Sequence, residues 1–187
     1  MKYEAVAIGA STGGIRALKM ILSTLPKRFS ASILIVQHLS PYSDNFLIQY
    51  LKDLCKIQVK EANEKELVQK GCAYIAPPNY HLMIEKDRHL SLSVEKKVNF
   101  SRPSIDVLFE SAADAYGDRL IGIILTGASC DGSKGLEEVK ARGGLTIVEE
   151  PKSAEAYIMP SAAIARTKVD YVLPLDRIGP LLNDLVG

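Results

Sequence analysis

Ser11, His38 and Asp131 each end an apolar run or sit in the glycine-framed loop that follows one, and together they are the residue types of nucleophilic acyl chemistry. A serine hydroxyl attacks a carbonyl only when a base takes its proton, an imidazole titrates near neutrality, and a carboxylate can orient that imidazole and stabilise its cation. Ser11 lies in Gly9-Ala10-Ser11-Thr12-Gly13-Gly14, between a strand-like run and a helix-like one. Small residues there allow a sharp turn and close approach of a substrate, while amides at the helix start can face a developing oxyanion. His38 closes Ile35-Val36-Gln37-His38, and Asp131 lies in Gly127-Ala128-Ser129-Cys130-Asp131-Gly132.

Each residue also has a plainer reading. The glycines need only make a tight turn with Ser11 capping the next helix, His38 need only be a bonded loop histidine, and Asp131 need only cap the helix that starts at Gly132. Arg102 and Asp106 flank a helix start and are expected to bind each other and the backbone. Cys130 has no activating partner and reads as a small loop residue. Gly9 to Gly13 also fits G-x-S-x-G, but the α/β-hydrolase order is nucleophile, acid, histidine, whereas here His38 precedes Asp131. His81 or His89 would restore that order only by reaching the nucleophile from a hairpin. A phosphate cradle fits poorly, since the spacing is neither G-x-G-x-x-G nor a Gly-Lys-Ser/Thr ending.

The elements that must carry these loops alternate. Short apolar runs at Tyr3–Ile8, Ile33–Gln37, Ile57–Lys60, Ala73–Ala76, Leu120–Thr126, Leu145–Val148 and Tyr171–Leu173 suit buried parallel strands. Helix-like segments fall at Gly13–Thr24, Tyr42–Leu54, Pro103–Tyr116, Gly132–Ala141 and Pro160–Thr167, with Ile105, Leu108, Phe109 and Ala112 on one stripe. Leu82–Glu85 and His89–Val94 alternate about Lys86-Asp87-Arg88 and read as an antiparallel hairpin at a sheet edge. The pattern predicts an α/β fold: a doubly wound, mostly parallel sheet flanked by helices, in which ligands bind beyond the carboxyl ends of the strands. Three weak signals at those ends reinforce one another.

With 187 residues, 47% of them hydrophobic, the chain suits one domain spanning residues 1–187. A net charge of +1 leaves no footprint for nucleic acid. Cys55, Cys72 and Cys130 are odd in number and too widely spaced for a zinc knuckle, which fits a reducing compartment. The run at Tyr3 follows no charged leader, and no apolar stretch reaches the roughly 18 residues of a membrane span. A cytoplasmic location is expected. No metal or other cofactor is expected either.

Beyond these residues, the chain resembles the catalytic domain of the CheB-type chemotaxis protein-glutamate methylesterases. The likeness rests on Ala7-Ile8-Gly9-Ala10-Ser11-Thr12-Gly13-Gly14, Val36-Gln37-His38, Tyr74-Ile75-Ala76-Pro77, Arg102-Pro103-Ser104-Ile105-Asp106-Val107-Leu108-Phe109, Leu125-Thr126-Gly127 with Asp131-Gly132, and Met159-Pro160. It implies Ser11 as nucleophile, His38 as base then acid, and Asp131 as the residue orienting His38. The implied reaction is hydrolysis of glutamyl methyl esters on the cytoplasmic helical bundle of methyl-accepting chemoreceptors, with deamidation of certain glutamines by the same chemistry. The backbone amides of Thr12 and Ala128 are the oxyanion-hole candidates. An N-terminal receiver domain, usual in the family, is expected to be missing, which suits either an excised catalytic domain or a standalone enzyme controlled by a partner such as a receiver in trans. Ala128-Ser129-Cys130 stands where the family more often has Met-Gly-Asn, which puts the placing of Asp131 and hence turnover in question. Ile158 stands where glycine is usual, which would narrow the substrate groove. The alternatives are a regulatory or binding module of the same fold with impaired turnover, and a small-molecule esterase.

Overall fold

The computed structural model describes residues 2–39 and 46–186. Its strands are β1 (Ala5–Ala10), β2 (Ser32–Gln37), β3 (Gln58–Glu61), β4 (Cys72–Ile75), β5 (His81–Ile84), β6 (Leu90–Ser93), β7 (Leu120–Ile124), β8 (Leu145–Glu149) and β9 (Tyr171–Leu173). Its helices are α1 (Gly14–Leu22), α2 (Phe46–Leu54), α3 (Ile105–Tyr116), α4 (Ser133–Ala141), α5 (Ile158–Arg166) and α6 (Leu175–Val186). Seven strands form one parallel sheet in the order β3-β4-β2-β1-β7-β8-β9. The expected doubly wound sheet is therefore present.

Alternation along β1 explains why it has no solvent face. Val6, Ile8 and Ala10 pack with Leu18, Ile21, Leu22, Leu51, Ile178 and Leu182 from α1, α2 and α6. Ala5 and Ala7 face the opposite layer, with Leu108, Phe109 and Ala112 of α3, Leu136 of α4 and Ala163 of α5. Successive side chains leave a strand on opposite faces, so a strand between two helical layers must be apolar throughout.

The boundaries shift where local chemistry overrides the pattern. Pro103 precedes α3 rather than opening it, with Ser104 at the N-cap. The expected helix from Tyr42 is seen from Phe46; residues 42–45 lie outside the described residues. Gly179-Pro180 hid α6 from a reading of the sequence, since proline removes an interior helical bond. The helix persists because Leu175, Ile178, Leu182 and Val186 are buried on one stripe and Gly179 packs against Thr24. The hairpin forms, but β5 and β6 make a separate two-stranded sheet instead of extending the edge of the main one. It packs on α3, where the Ser111 hydroxyl accepts the Ile84 amide at 3.2 Å.

β1 occupies the centre, with β2 on one side and β7 on the other. From β2 the chain goes to β3 at the edge, comes back to insert β4 between them, and later builds the other half from β7. This reversal opens a crevice at the carboxyl end of β1, where doubly wound sheets place their ligands.

Candidate active site

Strand register positions the first two residues. Ala10 pairs with Gln37 in parallel β1 and β2, and the His38 amide donates to Ala10 O at 3.0 Å, so continuing the register by one residue sets Ser11 beside His38. On the other side, the Ser11 amide donates to Thr126 O at 2.9 Å, anchoring the loop after β1 to the segment that follows β7. Gln37 ties the neighbouring loops together: its Nε2 donates to Ser11 O at 2.8 Å and to His38 O at 2.9 Å.

Asp131 arrives from the loop after β7 and is fully buried. Its Oδ2 lies 2.9 Å from His38 Nε2 and accepts the Ile105 amide at 2.7 Å. Its Oδ1 accepts from Ser104 Oγ at 2.8 Å, Asn99 Nδ2 at 2.9 Å and the Asp106 amide at 3.3 Å. Asp131 therefore caps a helix, but not the one that follows it. It sits at the N-terminus of α3, whose free amides and dipole favour a carboxylate, while Gly132 caps α4 without a side-chain bond. Burial pushes the Asp131 carboxyl up, yet the donors from His38, Asn99, Ile105 and Ser104 outweigh it and hold the group below the ordinary range. All five donors to the Asp131 carboxylate come from outside its own loop, while within the loop the Asp131 amide donates to Ser129 Oγ at 3.4 Å.

The plain readings of the other residues can now be compared with the structure. Ser11 does not cap α1: Gly13 is the N-cap, at φ 78°, and makes no side-chain bond. Nor does Ser11 Oγ bond to His38 among the described residues; both line a cleft of about 680 Å³ with Thr12, Gln37, Leu39 and Phe46. Catalytic hydrogen bonds often tighten only when substrate is bound. Neither the Thr12 nor the Ala128 amide has an intramolecular acceptor among the described residues, so both remain available as donors. The Thr12 carbonyl is fixed by Thr126 Oγ1 at 2.8 Å.

Arg102 and Asp106 do not bind each other. The guanidinium donates to Val94 O and Glu95 O at 2.7 and 3.0 Å, and Asp106 accepts the Gly135 amide and Asn99 Nδ2, both at 2.7 Å. Burial raises the Asp106 pKa, with the neighbouring Asp131 charge adding to it and the Gly135 and Asn99 donors opposing. His81 accepts the Ser104 amide at Nδ1 and bonds Lys96 O, while His89 pairs with Asp87; neither lines the cleft. Cys130 is exposed and free. Ile158 is half-exposed at the start of α5 and stands outside the cleft lining.

A reading of the sequence missed Asn99 and Glu149. Glu149 is a buried acid at the end of β8 that accepts the Thr126 amide at 2.8 Å; burial raises its pKa, and the Thr126 bond opposes this. The only signal for Asn99 was an asparagine in a short polar break before a proline-led helix, a common turn signature.

Comparison with known proteins gives a consistent result. The CheB methylesterase family profile matches residues 6–182. A relative from Methanosarcina acetivorans, named protein-glutamate methylesterase/protein-glutamine glutaminase 2, is 41% identical over 97% of this chain and 53% of its own length. A relative from Leptospira interrogans, which bears the same double activity name provisionally, is 55% identical over 97% of this chain and 94% of its own length. The crystal structure of the Thermotoga maritima CheB methylesterase catalytic domain superimposes with a TM-score of 0.95 at 38% identity, covering 100% of both chains. The chain thus spans about half of the archaeal relative and nearly all of the other two.

Proposed function

The chain belongs to the CheB methylesterase family, and from that premise we propose that it is a serine hydrolase that demethylates glutamate methyl esters and deamidates glutamines on chemoreceptors. The observation that carries the reading is the His38–Asp131 contact beside Ser11, three loops meeting at the carboxyl end of β1.

Ser11 is the proposed nucleophile. Because His38 Nε2 faces Asp131, Nδ1 is the ring nitrogen left to take the Ser11 proton. Oγ attacks the ester carbonyl, and the oxyanion forms against the Thr12 and Ala128 amides. Collapse breaks the bond to the methoxy group, which leaves as methanol carrying the proton from His38. A water molecule then gives its proton to His38 and attacks the acyl-enzyme, releasing the glutamate carboxylate and restoring Ser11. With a glutamine the same tetrahedral step expels ammonia. Asp131, kept ionised by its donors, holds the imidazole and stabilises its cation.

The substrate on this reading is the cytoplasmic helical bundle of a methyl-accepting receptor, and the enzyme works in the cytoplasm. No helix among the described residues is long and apolar enough to cross a membrane. The test is methanol release from a methylated receptor fragment. The wild type is expected to release methanol and Ser11→Ala to lose at least about a thousandfold in kcat; equal slow release by both would refute the reading. Repeating the assay with a separate phosphorylated receiver protein reads out control in trans.

A further inference from the structure

Residues 98–101 form a two-residue hairpin turn in which the Val98 and Ser101 amides each donate to the other's carbonyl, at 3.1 and 2.9 Å. Its central residues, Asn99 and Phe100, have φ of 50° and 62°. Such turns favour asparagine followed by glycine, because the second position crowds any Cβ and a bulky side chain most of all. Here the second position is phenylalanine, and it is 97% exposed. Burial therefore gives nothing back for the unfavourable backbone. A large side chain held in a strained conformation and offered to solvent is a pointer to function.

The location gives that pointer a direction. Asn99, the other half of the turn, reaches inward to Asp131 and Asp106 at 2.9 and 2.7 Å, and Arg102 fastens the loop behind it. Phe100 is thus presented from a braced support, one residue from a ligand of Asp131. Beside Ser11, Gly127 is bonded to Ala156 and Met159, and a Cβ on Gly127 would stand 3.0 Å from that of Ser11. The two residues between Ala156 and Met159 are Tyr157 and Ile158, 63% and 46% exposed. Exposed apolar side chains therefore stand next to Asn99, which holds Asp131, and on the segment bonded to Gly127 beside Ser11, an arrangement suited to a folded protein surface.

We propose that Phe100, next to Asn99, is a docking contact for the protein that carries the ester, seating against apolar side chains on the substrate surface. This rests on the proposed methylesterase function. Phe100 then separates protein-borne esters from free ones.

The test measures kcat/KM for methanol release from a methylated receptor fragment and for hydrolysis of a small glutamyl methyl ester, with wild type, Phe100→Gly and Phe100→Leu. The ratio of protein to small-ester kcat/KM is expected to fall about tenfold in Phe100→Gly and to recover in large part in Phe100→Leu. The Phe100→Gly Tm is expected to be no lower than that of the wild type, because glycine suits the turn. An unchanged ratio, or a Tm loss showing that Phe100 supports the fold, overturns the proposal. So does a change of oligomeric state in Phe100→Gly, which would make the contact one between copies of this chain. Failure of wild type to release methanol from either ester would instead strike the underlying function.

Discussion

His38 Nε2 and Asp131 Oδ2 meet at 2.9 Å although 93 positions separate them in the chain, and Asp131 reaches that point as the cap of α3. Structure and proposed chemistry thus share one carboxylate. Asp131→Asn replaces an acceptor by a donor among five donors, so kcat is expected to fall at least about a thousandfold and stability to fall with it. The pH dependence has a definite sign. The folded pKa of Asp131 is lowered from 3.8, so its contribution to stability is present above that value and is lost as pH falls through the lower folded pKa. Urea unfolding of both proteins from pH 7 to pH 3 should show the wild-type advantage shrinking only in the acid range.

Asn99 tests whether the support of Asp131 matters apart from its charge. Asn99→Gly keeps a residue suited to φ of 50° but removes the amide that bridges Asp131 and Asp106. A drop in kcat of about 10- to 100-fold with little change in KM is expected from a misplaced carboxylate. Steady-state kinetics on a small glutamyl ester measures this, and an unaltered kcat would assign Asn99 to folding alone.

Gly127 tests the packing against Ser11, the proposed nucleophile. An added Cβ would lie 2.6 Å from Met159 Cε and 3.0 Å from Ser11 Cβ. Gly127→Ala is expected to destabilise by about 1–3 kcal/mol and to reduce kcat by displacing Ser11. Thermal melts together with methanol release distinguish the two effects.

Cys130, exposed and free next to Asp131, provides a control. Cys130→Ser is expected to retain activity within about twofold, as surface changes usually do, and alkylation of the thiol followed by assay checks the same point from the chemical side.

Apolar runs and glycine-framed loops made the alternating fold, and the loops that carry Ser11, His38 and Asp131, legible in the sequence, because strand burial and sharp turns restrict residue type locally. What stayed hidden depends on contacts between distant segments. No local pattern says that Asp131 caps α3 rather than α4, or that Asn99 is folded inward. α6 was obscured for a related reason: Gly179-Pro180 signals a break, and only packing against Thr24 and the core stripe overrides it. The hairpin was readable from its alternation, whereas its separation from the main sheet is set by α3.

The most direct test of the proposed chemistry is to catch the covalent intermediate. Rapid acid quench of the enzyme with a methylated glutamyl peptide, followed by mass spectrometry of the proteolysed protein, should find the fragment containing Ser11 heavier by the peptide less methanol, and should find no such adduct in Ser11→Ala. Turnover with no adduct under conditions where acylation outpaces hydrolysis, or an adduct on any residue other than Ser11, would contradict the account.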